Sequence, residues 1–168
     1  VKQGADLSSF PEVCIPAYSF MRKSSREEIG ELSEAVPGSA SVKRLMEMSN
    51  DFRIAILAGL IEREGDQYFN TYVCVDGDQF VAKFRKLHAF INPHISCGNE
   101  YVTFQLRGCT CSILICYDNN LACNVQAVAQ LGAEIVFMPH VTCCLDWPIP
   151  GSGKVSREVW DRRAEDPE

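Results

Sequence analysis

The chain has 168 residues and a formal net charge of −6. That size suits one domain, and the negative balance argues against a nucleic-acid footprint, which needs a basic face. With 46% hydrophobic and 23% charged residues it can bury a core, and no apolar run nears the roughly 20 residues that cross a bilayer. No charged segment leading into an apolar one opens the chain, and because it begins on Val1 without an initiator Met it is expected to be a processed chain or a fragment. Nine cysteines without a repeating pattern fit free thiols in a reducing, cytoplasmic setting better than a disulfide framework.

In chain order, ADLSSF (5–10) reads as a short strand that ends at Pro11-Glu12. SREEIGELSEAV (25–36) carries the Ser25/Glu28 spacing of a capping box and sets Ile29, Leu32 and Val36 on one helical face. After Pro37-Gly38 a second helix is expected over 39–52, with Val42, Leu45, Met46 and Phe52 as its apolar stripe. RIAILAGLIER (53–63), QYFNTYVCV (67–75) and QFVAKFRK (79–86) read as strands, the last two joined by the turn Asp76-Gly77-Asp78. A loop over 92–99 leads to YVTFQL (101–106), and CTCSILIC (109–116) is the most apolar strand. A helix over 119–131, closed by Gly132, precedes the strand AEIVFMP (133–139). The recognisable unit runs over about 6–140 of a single domain spanning 1–168. A looser tail (141–168) includes a short amphipathic piece, SREVWDRR (156–163). Helix pairs between strands imply helices layered on sheets.

Three ionisable residues fall where strands end: Glu12, Lys86 and Cys116. A thiol at such a place needs a base to make it a nucleophile and a cation to hold charge developing on a substrate oxygen; Glu, Lys and Cys meet those needs together. FPE, RKLH and LICYD, in this order and at these separations, resemble the carbon–nitrogen hydrolase (nitrilase) superfamily. YFNTYVCVDGDQFVAKFRKLH is similar to the hairpin before the family's lysine, and LGAEIVFMPH to the strand after its cysteine. The resemblance implies a nitrilase-like α-β-β-α sandwich, incomplete at both ends here. It also implies cleavage of a linear amide or N-carbamoyl substrate, with nitriles or an inactive degenerate domain as alternatives. Cys116 would be the nucleophile, Glu12 the base, and Lys86, with the backbone N–H of Tyr117, the oxyanion stabiliser. His140, His94 and Asn119 are substrate-binding candidates. No cofactor or metal is implied, and the parent protein is expected to be a homodimer or larger.

Two departures stand out. The segment between Lys86 and Cys116 has no acid before Glu100, so the helper carboxylate of many relatives has no counterpart unless His94 serves. Strands that the family carries before GADL and after WDRR are expected to be missing, so the faces of ILIC and IVFM are expected to be poorly covered.

Taken singly, each residue has a plainer reading. A strand cysteine is usually core, as expected for Cys74, Cys109, Cys111 and Cys123. His88 would pack beneath the site, and Asp118 would cap a helix or accept hydrogen bonds. Cys109-x-Cys111, or His140 with Cys143 and Cys144, lacks the spacing of structural zinc. His140, only 24 residues past Cys116, does not fit a papain-like pair. PGSGK fails as a phosphate loop because Pro148 replaces its first Gly and Val155 its Ser or Thr.

Overall fold

A computed structural model describes residues 4–141. Cys143, Cys144 and the piece over 156–163 lie outside the described residues.

Ser25 opens α1 (Arg26–Leu32) with both halves of the capping box in place: its hydroxyl accepts from the Glu28 N–H and the Glu28 carboxylate accepts from its own N–H. The helix is shorter than the expected 25–36. Ser33 turns extended, and Glu34 then exchanges backbone hydrogen bonds with Ile61 and Arg63. Ile29 is buried while Leu32 is exposed, so only part of the expected face is used.

Ser39 caps α2 (Ala40–Phe52) by accepting from the Val42 N–H. Its buried stripe is Val42, Leu45 and Ser49 rather than one reaching Phe52, which is half exposed. Ser49 sits inside because its hydroxyl donates to the Ile54 carbonyl at 2.6 Å and accepts from the Gly77 N–H at 2.7 Å.

The first sheet has the order β1 (Leu7–Ser9), β2 (Ala55–Glu64), β3 (Gln67–Asp76), β4 (Gln79–Arg85). β1 runs parallel to β2, whereas β2, β3 and β4 are antiparallel. A two-residue β5 (Ile95–Ser96), inside the expected loop, pairs with β3 in parallel. The second sheet is β6 (Thr103–Leu106), β7 (Cys109–Ile113) and β8 (Ile135–Phe137), with α3 (Ala122–Gln130) between β7 and β8.

β2 and β3 are buried on both faces, which is why their apolar runs do not alternate. One face of the first sheet packs on α2 through Ile56, Ala58, Leu60, Val73 and Val75. Its other face offers Leu57, Tyr72 and Phe84 to the second sheet's Cys111, Ile113 and Phe137, in a cluster that reaches Val128 of α3. This is the expected α-β-β-α layering. Cys109 and Cys111 both pack on that cluster.

The expectation of poor coverage fails for ILIC: Ile113, Leu114 and Ile115 are fully buried between the first sheet and α3. It holds for part of IVFM, where Ile135 and Met138 are exposed while Phe137 is not.

Candidate active site

Glu12 follows β1 in a tight turn that crosses β2 at Gly59. A Cβ on that glycine would stand 2.2 Å from the Val13 nitrogen, so only glycine lets the strand pass this close. Behind the turn, the Tyr72 hydroxyl contacts the Phe10 carbonyl, Ser9 Oγ at 2.9 Å and the Leu57 carbonyl at 3.2 Å. Lys86 follows β4, its N–H donating to the Asn70 carbonyl at 2.8 Å and its carbonyl accepting from Gly98 at 2.7 Å.

Period-2 alternation puts Asn70, Phe84 and Lys86 on the inner face with Glu12. Lys86 Nζ and Asn70 Nδ2 both donate to Glu12 Oε1 at 2.6 Å. The Glu12 and Lys86 side chains are 0% and 2% exposed. Burial of this depth is tolerable for two charges only because they are paired and hydrogen-bonded. Glu12 Oε2 and Asn70 Oδ1 are buried without a partner at hydrogen-bond geometry.

Cys116 comes from the second sheet. β7 ends at Ile113, three residues before the expected end, and Cys116 opens a 3-10 turn (Cys116–Asn120) with φ +52°. The expected helix over 119–131 therefore starts late, at Ala122. Asn119 Nδ2 donates to the Cys116 carbonyl at 2.6 Å, a local bond that favours the turn over a helix. The Cys116 N–H donates to the Pro139 carbonyl at 2.9 Å. Its half-buried thiol lies beside Glu12, Lys86 and the Tyr117 N–H. Burial pushes the thiol's pKa up, the Glu12 carboxylate pushes it further, and Lys86 and the Tyr117 amide pull it back. The thiol is thus held protonated beside a carboxylate that can take its proton.

The other candidates fall at different distances from this centre. Asn119 Nδ2 lies 2.7 Å from His140 Nε2, so these two share the rim next to Cys116. His94 lies toward α1, near Glu27, and its backbone N–H donates to Asn92 Oδ1 at 2.8 Å. Glu100 is exposed and borders a separate cleft with Glu64, Lys83 and Arg85. His88 packs its ring edge-on to Tyr117 and bonds Asp118 through Nδ1 at 3.0 Å. Asp118 is a hydrogen-bond acceptor and not the cap of α3, whose N-cap position is Leu121. An open cleft of about 520 Å³ lined by His88, Ala89, Phe90, Cys97 and Tyr117 adjoins the site, with Lys86 Nζ 5.3 Å from the Phe90 ring centre.

Asn70 and Glu62 are among the buried polar residues whose roles the sequence did not mark. Asn70 was visible only as a polar interruption of an apolar strand. Glu62 likewise interrupts β2; Thr71, Lys83 and Arg85 donate to it on the opposite face, and these bonds outweigh burial and hold its carboxyl below the usual range. Among the described residues, no three His, Cys, Asp or Glu side chains gather as metal ligands.

The family model for carbon–nitrogen hydrolases matches residues 1–160. The chain belongs to the carbon–nitrogen hydrolase family. A nitrilase from Pyrococcus abyssi is 30% identical over 141 residues, covering 82% of this chain and 53% of that protein. An (R)-stereoselective amidase from a Pseudomonas species is 27% identical over 137 residues, covering 80% and 48%. A solved amidase of the nitrilase superfamily from Nesterenkonia shares the fold with a TM-score of 0.66 at 24% identity, over 86% of this chain and 55% of that one. This carbon–nitrogen hydrolase chain thus spans about half the length of the relatives it matches.

Proposed function

We propose that the protein hydrolyses non-peptide carbon–nitrogen bonds of a small linear amide or N-carbamoyl compound, with Cys116 as nucleophile. Cys116 Sγ attacks the carbonyl carbon while its proton passes to Glu12. The tetrahedral oxyanion is held by Lys86 Nζ and the Tyr117 N–H. Collapse breaks the C–N bond, and Glu12 gives the proton to the departing nitrogen, leaving a thioester. Water that loses a proton to Glu12 then attacks the thioester and releases the acid, and the thiol is restored.

The observation that carries this reading is the convergence of three side chains far apart in sequence. A buried carboxylate, with one oxygen saturated by Lys86 and Asn70 and the other unpartnered, stands beside a thiol at a strand end. Oxyanion donors of this kind contribute about 3–4 kcal/mol each in hydrolases.

The amidase relatives favour amides, whereas the Pyrococcus nitrilase favours a second reading in which nitriles are the substrate. A cytoplasmic setting and a homodimeric or larger assembly belong to the same proposal. The first is supported by the seven free thiols among the described residues, the second by exposed Leu131, Ile135 and Met138 around α3 and β8. Ammonia release from short-chain amides and from matched nitriles tests the reading. Cys116→Ala should abolish it and EDTA should leave it intact; turnover that survives Cys116→Ala refutes the assignment.

A further inference from the structure

Asn70 lies in the first sheet and Glu12 and Lys86 follow its strands β1 and β4, whereas Cys116 follows β7 of the second. The reach between base and nucleophile therefore depends on what ties the sheets together at this end. Packing alone is non-directional and sets such a distance loosely.

A directional tie is present. Asp118, two residues past Cys116, is fully buried. Its Oδ2 accepts from the Leu87 N–H at 3.0 Å, and its Oδ1 accepts from the His88 N–H at 2.9 Å and lies 3.0 Å from His88 Nδ1. Leu87 and His88 immediately follow Lys86. Asp118 is itself braced: its N–H donates to the Ile115 carbonyl at 3.0 Å, and its carbonyl accepts from Asn124 Nδ2 at 2.8 Å. A carboxyl group buried this completely needs its contacts with Leu87 and His88, so it cannot drift without losing them.

We propose that Asp118 is a positioning residue that clamps the turn carrying Cys116 to the segment carrying Lys86, and so fixes the nucleophile's reach to the Glu12–Lys86 pair. The activity arm of its test rests on the hydrolase reading above; the labelling arm does not.

Asp118→Asn keeps size and one acceptor but turns an NH2 group toward N–H donors. The turn should loosen locally. Misplacement of about 1 Å lowers turnover by about 100-fold, which is the expected fall in kcat, with KM within about twofold. A less enclosed Cys116 should react with iodoacetamide about fivefold faster at pH 7.5, since burial is the main restraint on its ionisation. Peptide mass mapping should show Cys74, fully buried, still unmodified, and exposed Cys123 unchanged in rate.

Cys116 labelling at the wild-type rate, or Cys74 opening together with Cys116, overturns the proposal, the latter by showing global rather than local loosening. Should Asp118→Asn not fold, His88→Ala decides: its side chain is 43% exposed and it removes one of the three bonds. A rise of about twofold in Cys116 labelling supports the clamp, and an unchanged rate overturns it. If the wild-type protein cleaves no amide or nitrile, the hydrolase reading falls and labelling alone decides the clamp.

Discussion

Replacing Lys86 with Met probes the pair on which the site is built. The side chains of Lys86 and Glu12 meet at 2.6 Å with almost no exposure. At that separation their attraction is about 6 kcal/mol for an effective dielectric of ~20, and the cost of taking both charges out of water offsets much of it. Met fills nearly the same volume, so little of the effect comes from a cavity. What remains is a buried carboxylate with only neutral donors, Asn70 and the Cys116 thiol, beside it, and breaking a buried pair in this way costs about 3–5 kcal/mol. With an ordinary urea dependence of about 2 kcal/mol per molar, the midpoint followed by far-UV circular dichroism should fall by about 2 M. Glu12→Gln leaves the ammonium unpaired and should cost a similar amount. The double variant Glu12→Gln/Lys86→Met removes both charges and should be at least about 2 kcal/mol more stable than the sum of the single losses predicts. Additive losses, or a Lys86→Met loss below about 0.5 kcal/mol, would show that the two charges are solvated and that the site is not a closed ion pair.

Glu12→Gln should also change Cys116 in a direction opposite to its effect on turnover. With the carboxylate's charge gone, the thiol ionises more readily, so iodoacetamide should label Cys116 faster while amide cleavage is lost; slower labelling would contradict the site's electrostatics. Gly59→Ala should cost about 1–3 kcal/mol and displace Glu12, because its Cβ meets backbone 2.2 Å away and not a movable side chain; a variant with unchanged melting and unchanged turnover would refute this. Stability should fall above about pH 9. Burial pushes the Cys74 thiol up to about 12, so the unfolded chain ionises first, and the loss is about 1.4 kcal/mol per pH unit from this thiol until its folded value is reached. Urea midpoints that stay flat from pH 8 to about pH 11 would show that Cys74 is not enclosed.

Much of the site could be read from the chain because its chemistry lies in short local motifs. Glu12 after Phe10-Pro11, Lys86 in Arg85-Lys86-Leu87-His88 and Cys116 before Tyr117-Asp118 are each marked by a strand end, and strand ends follow from the alternation and length of apolar runs. The capping box at Ser25 and the cap at Ser39 were legible for the same reason, since their partners lie three residues away. Element ends were less legible where distant groups compete for the backbone. α1 stops at Leu32 because Glu34 pairs with β2, and the turn at Cys116 displaces the start of α3 because Asn119 holds the Cys116 carbonyl.

The sequence by itself determined the succession of strands and helices, which follows from side-chain type and local period, and its family motifs implied the α-β-β-α layering and marked Glu12, Lys86 and Cys116 as the candidate residues. Only the tertiary structure decided that Lys86 and Asn70 share one oxygen of Glu12 and that the Cys116 thiol stands beside the same carboxylate. It also decided that Asp118 ties the second sheet to the first, and that Phe52 faces outward while Ser49 faces inward. These facts turn on partners 28 to 74 residues apart. A hydrogen bond over such a span depends on how strands pair and how the two sheets stack, and no local propensity encodes that distance.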